Sequence, residues 1–263
     1  MPKQAESWSV TKEIRAEQKA SLKKMPFKAK LEYFWEYYKL HTIITITVIA
    51  LICGTIYTIA TNKSYSFYAV MLNSYNLSAD QIAADFNVFA NLDSDRYLCL
   101  IETDARLNLE DYRSPYEMAI SQRIMATVMA AELDVIVADG FTFSVYADGE
   151  FFIDLRFVLS ESELAHYHDY LFYIDQAIID AKKTDLSLDF AEPKTPEQKA
   201  LEIEVRRHPE DMGDPIPVGI FVEKAPFILQ NGAYSDEEVP VFGIISASRR
   251  HETAVMYLDF LWQ

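Results

Sequence analysis

The sequence predicts an α/β protein in which one membrane-spanning helix precedes a folded domain built on a mainly parallel sheet. Three observations predict it. Twenty residues without a charge run from Thr42 to Thr61. Beyond them, short apolar runs alternate with stretches of helical periodicity that open on capping residues, the order of a strand–helix–strand fold. Charge also divides at the apolar run: residues 1–41 hold nine Lys or Arg and five Asp or Glu, and residues 42–263 hold fifteen and thirty-five, within a net charge of -16.

The apolar run comes first. At the usual helical rise twenty residues reach ~30 Å, the thickness of bilayer hydrocarbon. Ile43, Ile44, Ile46, Val48, Ile49, Leu51, Ile52, Ile56 and Ile59 together favour insertion by on the order of 4 kcal/mol. The six threonines of the run can return their hydroxyls to the helix's own carbonyls. A buried soluble helix seldom runs so far without a charge, a signal peptide's apolar core is shorter, and a lipoprotein signal ending at Cys53 would need a small residue where Ile52 stands. Lys23, Lys24, Lys28, Lys30 and Lys39 precede the run while Lys63 follows it, so the N-terminus is expected in the cytoplasm and the domain outside. Residues 1–41 then form a basic cytoplasmic tail, whose lysines can meet anionic lipid. Its aromatic juxtamembrane helix carries Tyr33, Phe34, Trp35, Tyr37 and Tyr38 at headgroup level. The segment 42–61 is the bilayer contact, and 64–263 is the extracytoplasmic domain.

Within that domain, residues 67–72 read as a strand, and Ser78 with Gln81 reads as a capping box for a helix bearing Ile82, Phe86 and Phe89. Residues 96–103 are the next strand. Ser114, Pro115 and Glu117 open a helix to about Glu132, and residues 133–139 form a third strand. Residues 151–155 read as a brief strand. Ser160 and Glu163 cap a helix, and 171–175 is a further strand. Residues 180–216 are charged and proline-punctuated, a surface insertion with one helix at 196–207. Strands at 217–222 and 239–247 follow, and Ser248 is expected to cap a closing helix that buries Val255, Leu258 and Leu261.

Reaction chemistry has no visible seat. His251-Glu252 begins a zinc-protease pattern, but Val255 stands where the second histidine ligand belongs. His166 and His168 point about 200° apart on a helix and cannot share a metal through one face. Phosphate-cradling motifs are absent, with seven glycines in the chain, and a domain of strong negative charge repels nucleic acid. No catalytic residue, metal ligand or cofactor is assigned. Cys53 and Cys99, divided by the bilayer boundary, cannot pair, and Cys99 reads as a small buried apolar residue. In open α/β folds ligands meet strand C-termini and helix N-termini, which nominates Tyr75, Asp139, Phe141, Ser248 and Arg249.

Residues 133–139 (LDVIVAD), 149–159 (GEFFIDLRFVL), 217–222 (PVGIFV) and 239–261 (VPVFGIISASRRHETAVMYLDFL) resemble the type 2 periplasmic or extracellular solute-binding proteins. The leader YFWEYYKLH before one span is similar to that of anchored extracytoplasmic proteins of Gram-positive bacteria. The resemblance implies a three-layer α/β, periplasmic-binding-protein-like domain and a noncatalytic function. That function is solute binding or association with a transporter. Members carry two lobes, and a domain of about 200 residues has room for one. The alternative is a structural or interaction protein of a membrane or envelope complex with no small-molecule ligand.

Overall fold

The computed structural model describes residues 26–61, 63–108, 114–184, 194–235 and 237–263. Two units divide the chain, Met1–Asn62 and Lys63–Gln263. The tail lysines up to Lys24 lie outside the described residues, and the side chains of Lys30, Tyr33, Tyr37 and Ile59 lie outside the described side chains.

In the first unit one unbroken helix, α1 (Phe27–Thr61), holds both the aromatic leader and the apolar run. Its 35 residues extend about 52 Å, longer than a bilayer's hydrocarbon is thick. The segment Tyr38–Thr58 is long and apolar enough to cross a membrane, and none of it is buried in the protein. Thr45, Thr55 and Thr58 donate to the carbonyls of His41, Leu51 and Gly54 at 2.8, 2.8 and 3.0 Å, so these hydroxyls do not oppose burial in lipid. Phe34 and Tyr38 stack with ring centroids 5.4 Å apart.

Among the described residues the second unit is a single six-stranded sheet with helices against it. Its elements are β1 (Tyr65–Met71), α2 (Ala79–Phe89), β2 (Leu98–Glu102), α3 (Pro115–Met129), β3 (Val135–Asp139) and α4 (Gly140–Asp148), then α5 (Glu161–His166), β4 (Leu171–Asp175), α6 (Gln176–Thr184), α7 (Pro196–Val205), β5 (Pro215–Phe221), α8 (Pro226–Asn231), β6 (Pro240–Ile244) and α9 (His251–Leu261). The order across the sheet is β2-β1-β3-β6-β5-β4. β1 pairs in parallel with β2 and β3, while the β3–β6, β6–β5 and β5–β4 pairings are antiparallel. The sheet is therefore mixed, and the expected parallel arrangement describes its first half. Direction was hidden in the second half because a strand buried on both faces reads as the same apolar run whichever way it points.

Alternate side chains of β1 serve opposite cores. Phe67, Ala69 and Met71 pack with Ile82 and Phe86 of α2 and with Tyr257, Leu258 and Leu261 of α9. Tyr68 and Val70 pack on the other face with Ile124 and Val128 of α3 and with Phe143 and Tyr146 of α4. The chain steps from β1 outward to β2 and then back across β1 to β3. Right-handed crossovers put α2 and α3 on opposite faces when the step reverses.

Several local expectations change. Ser78 and Ser114 occupy N-cap positions without a side-chain cap bond, and Glu117 instead accepts from the Asn108 N–H at 2.8 Å. The Ser160–Glu163 capping box forms as expected. Residues 151–155 are no strand: Phe152 makes one isolated bridge to Ile245 and Leu155 enters a short 3-10 turn. The closing helix is capped at Arg250 rather than Ser248. From the stretch expected on the surface, Ile203 of α7 enters the second core. Gly219 and Gly243 admit the Phe143 ring: a Cβ on either would lie 2.7 Å from it, and that ring stacks on Phe152 at 4.2 Å.

Candidate functional site

Reversal of the winding parts the connections after β1 and β3 and leaves a crevice at their C-terminal ends, the position where open α/β sheets hold ligands. Its floor is pinned from below. The Leu72 N–H donates to the Val137 carbonyl at 2.8 Å. The buried Tyr234 hydroxyl lies 3.0 Å from the Leu72 carbonyl and 3.2 Å from that of Val137, sharing its proton between them. Burial, with smaller contributions from neighbouring acids, holds this phenol well above its ordinary pKa, so it stays a donor.

Asn73 follows β1 in a left-handed conformation, φ 61°, which asparagine tolerates better than most side chains. Its amide donates to Asp139 at 2.8 Å and to the Leu107 carbonyl at 3.0 Å, and its carbonyl accepts from the Leu107 N–H at 2.8 Å. Asp139 caps α4 by accepting from the Thr142 N–H at 3.0 Å, a carboxylate at a helix N-terminus where charge is favoured. These bonds tie three loops into one rim.

Above the rim lies a cleft of about 450 Å³ whose lining includes Tyr75, Arg106, Glu117, Phe141, Lys199 and Glu238. The Arg106 guanidinium sits 5.3 Å from the centre of the Tyr75 ring, and the Lys199 ammonium 4.6 Å from that of Phe141. The Tyr75 hydroxyl donates to Glu238 at 3.4 Å. Cations and carboxylates thus share the lining with two aromatic rings.

The structure brings Tyr75, Asp139 and Phe141 together here and separates Ser248 and Arg249 from them. Because β6 is antiparallel to β3, the residues after β6 stand at the N-terminal end of β3. There Ser248 donates to the fully buried Asp134 at 2.5 Å. Asp134 also accepts from the Tyr68 N–H and from Arg250 Nε, each at 2.9 Å. Burial raises the Asp134 carboxyl above its usual range, against the opposing pull of Arg250 and Ser248. Ser248 is a staple in a structural cluster, and Arg249 is exposed beside it. Cys99, buried, has its thiol pushed up to about 12 by burial first and by Asp134 second, in keeping with an inert apolar role.

Sequence reading missed Asn73, Arg106, Glu117, Lys199 and Glu238 of the cleft. Asn73 could have been found as the first residue after a strand; the others come from loops and helices with no local mark. A second groove of about 420 Å³ lies between α6 and α7, with Ile178, Leu201 and Val205 on its walls. Arg206 at its edge donates to both Asp148 oxygens, at 2.8 and 3.0 Å. Among the described residues no group of three or more His, Cys, Asp or Glu converges to hold a metal.

No protein-family model matches the chain, and neither the curated proteins nor the solved structures contain a match to it.

Proposed function

We propose that this chain is a single-pass membrane protein whose extracytoplasmic domain, of three-layer periplasmic-binding-protein-like design, is a noncatalytic binding module. It receives a solute, or serves a transporter, at the crevice between the ends of β1 and β3. The observation that carries this reading is that crevice: six loop or helix segments deliver polar and aromatic side chains to the place where the winding reverses. Anchoring is supported by the uncovered apolar length of α1, and a cytoplasmic N-terminus by the excess of lysines before it.

A second reading rests on its own observation. Among the described residues the domain has one sheet, and Ile178, Leu201 and Val205 are 53%, 67% and 47% exposed along one groove. A surface of that kind suits a structural or interaction role in a transporter or envelope complex. Thermal melting of the full chain against sugars, peptides, amino acids and metal ions separates the two. Ligand at 100 times its dissociation constant adds ~2.7 kcal/mol, and a flat response across the panel favours the interaction role.

A further inference from the structure

The charges in the β1/β3 crevice discriminate between classes of solute, granted the binding role proposed above. Three carboxylates, Glu117, Asp139 and Glu238, share the lining with the cations Arg106 and Lys199. An anionic ligand that reached the cations would also meet the carboxylates. A cationic ligand would have to displace Arg106 and Lys199 from the rings they already cover, at 5.3 and 4.6 Å, and like charges that close oppose each other. A neutral ligand must also move these cations aside to reach the rings, but it meets no like-charge repulsion in doing so.

The polar groups are mixed in a way that suits hydroxyls. Carboxylates only accept, guanidinium and ammonium groups only donate, and the amide of Asn108 does both. A hydroxyl that donates to one neighbour and accepts from the next can bridge such unlike groups, which a ligand bearing donors or acceptors alone cannot. Once Arg106 and Lys199 move aside, Tyr75, 43% exposed, and Phe141 offer flat apolar faces on which the C–H side of a sugar ring can lie. The cleft's volume of about 450 Å³ falls toward the lower end of small-molecule sites, room for a short ligand and not for a polymer.

We propose that the crevice takes a neutral, polyhydroxylated ligand of the mono- or disaccharide class. Tyr75 and Phe141 stack on it, Glu117 and Glu238 accept from its hydroxyls, and Arg106 donates to them. The test uses the full chain in a polyoxyethylene detergent, which carries neither a sugar nor a charged headgroup. Melting is followed by near-ultraviolet circular dichroism with glucose, N-acetylglucosamine or maltose, and with aspartate, choline or inorganic phosphate. A neutral saccharide is expected to raise the midpoint by about 5 °C near saturation and the charged probes to leave it in place. Tyr75→Ala and Glu117→Gln should each weaken the saccharide at least tenfold, their unliganded melts serving as the control for folding; Phe141→Leu replaces either variant that fails that control. A response to a charged probe alone, lost in Tyr75→Ala, overturns the saccharide class and leaves the crevice as a binding site. A saccharide response unchanged in all folded variants overturns the placement, and silence to every probe overturns both this proposal and the binding role beneath it.

Discussion

Arg250 offers a quantitative check on how the domain's interior is held. Its guanidinium is the one full positive charge bonded to Asp134 among the described residues. The Asp134 side chain is fully buried and that of Arg250 is 23% exposed. Replacing Arg250 with Met keeps most of the side-chain volume and strands a buried carboxylate on the Ser248 hydroxyl and the Tyr68 N–H. Removing one partner of a buried pair costs about 3–5 kcal/mol. Because Arg250 reaches solvent and two donors remain, the lower end applies, about 3 kcal/mol. In a domain of about 200 residues that lowers the melting midpoint by about 6–12 °C.

The pH dependence fixes the sign. Asp134 is raised in the folded protein, so folding favours its protonated form. The stabilising contribution of that raised pKa is therefore present at acid pH and lost as pH rises from the unfolded carboxyl value through the folded one. Removing Arg250 raises the folded value further. The deficit of the variant should thus be largest at neutral pH and shrink on acidification, and Asp134→Asn should recover part of it in the double variant. Calorimetry across pH 4–8 measures this. A deficit of under 2 °C at neutral pH, or one that grows on acidification, would refute the placement of a buried charge at Asp134.

Two further outcomes follow from other parts of the chain. Gly243→Ala places a methyl group 2.7 Å from the rings of both Phe143 and Phe152. These rings are stacked against each other and have little room to yield, so urea denaturation should show a loss of about 1–3 kcal/mol, whereas an unchanged midpoint would mean that the rings shift freely. On intact cells, added protease should digest the domain after residue 63 and spare α1, and a domain protected until the cells are lysed would reverse the orientation inferred from the lysines.

Much of the architecture is legible without coordinates because it depends on neighbours in sequence. A helix long and apolar enough to cross a membrane needs only an uncharged run of bilayer length. The first strand–helix–strand–helix–strand series is readable from short apolar runs and from Pro115 at a helix start. The Ser160–Glu163 box is a contact three residues long. Reading fails where pairing decides. Residues 151–155 have strand composition yet lie where only a single bridge can form, and Ser248 has a cap's identity but spends its hydroxyl on Asp134, 114 residues earlier.

Placement of the candidate site divides along the same line. Tyr75, Asp139 and Phe141 follow strands that run in parallel, so their position at one end of the sheet is implied once β1 and β3 are recognised. Arg106, Glu117, Lys199 and Glu238 reach the same crevice through loop paths and helix packing that no local pattern encodes. Ser248 and Arg249 sit at the other end because β6 runs against β3. An apolar strand has the same side-chain preferences in either direction, so its sense is set only when backbone hydrogen bonds find a partner. That choice, made by the tertiary fold, determines which strand ends share a cleft.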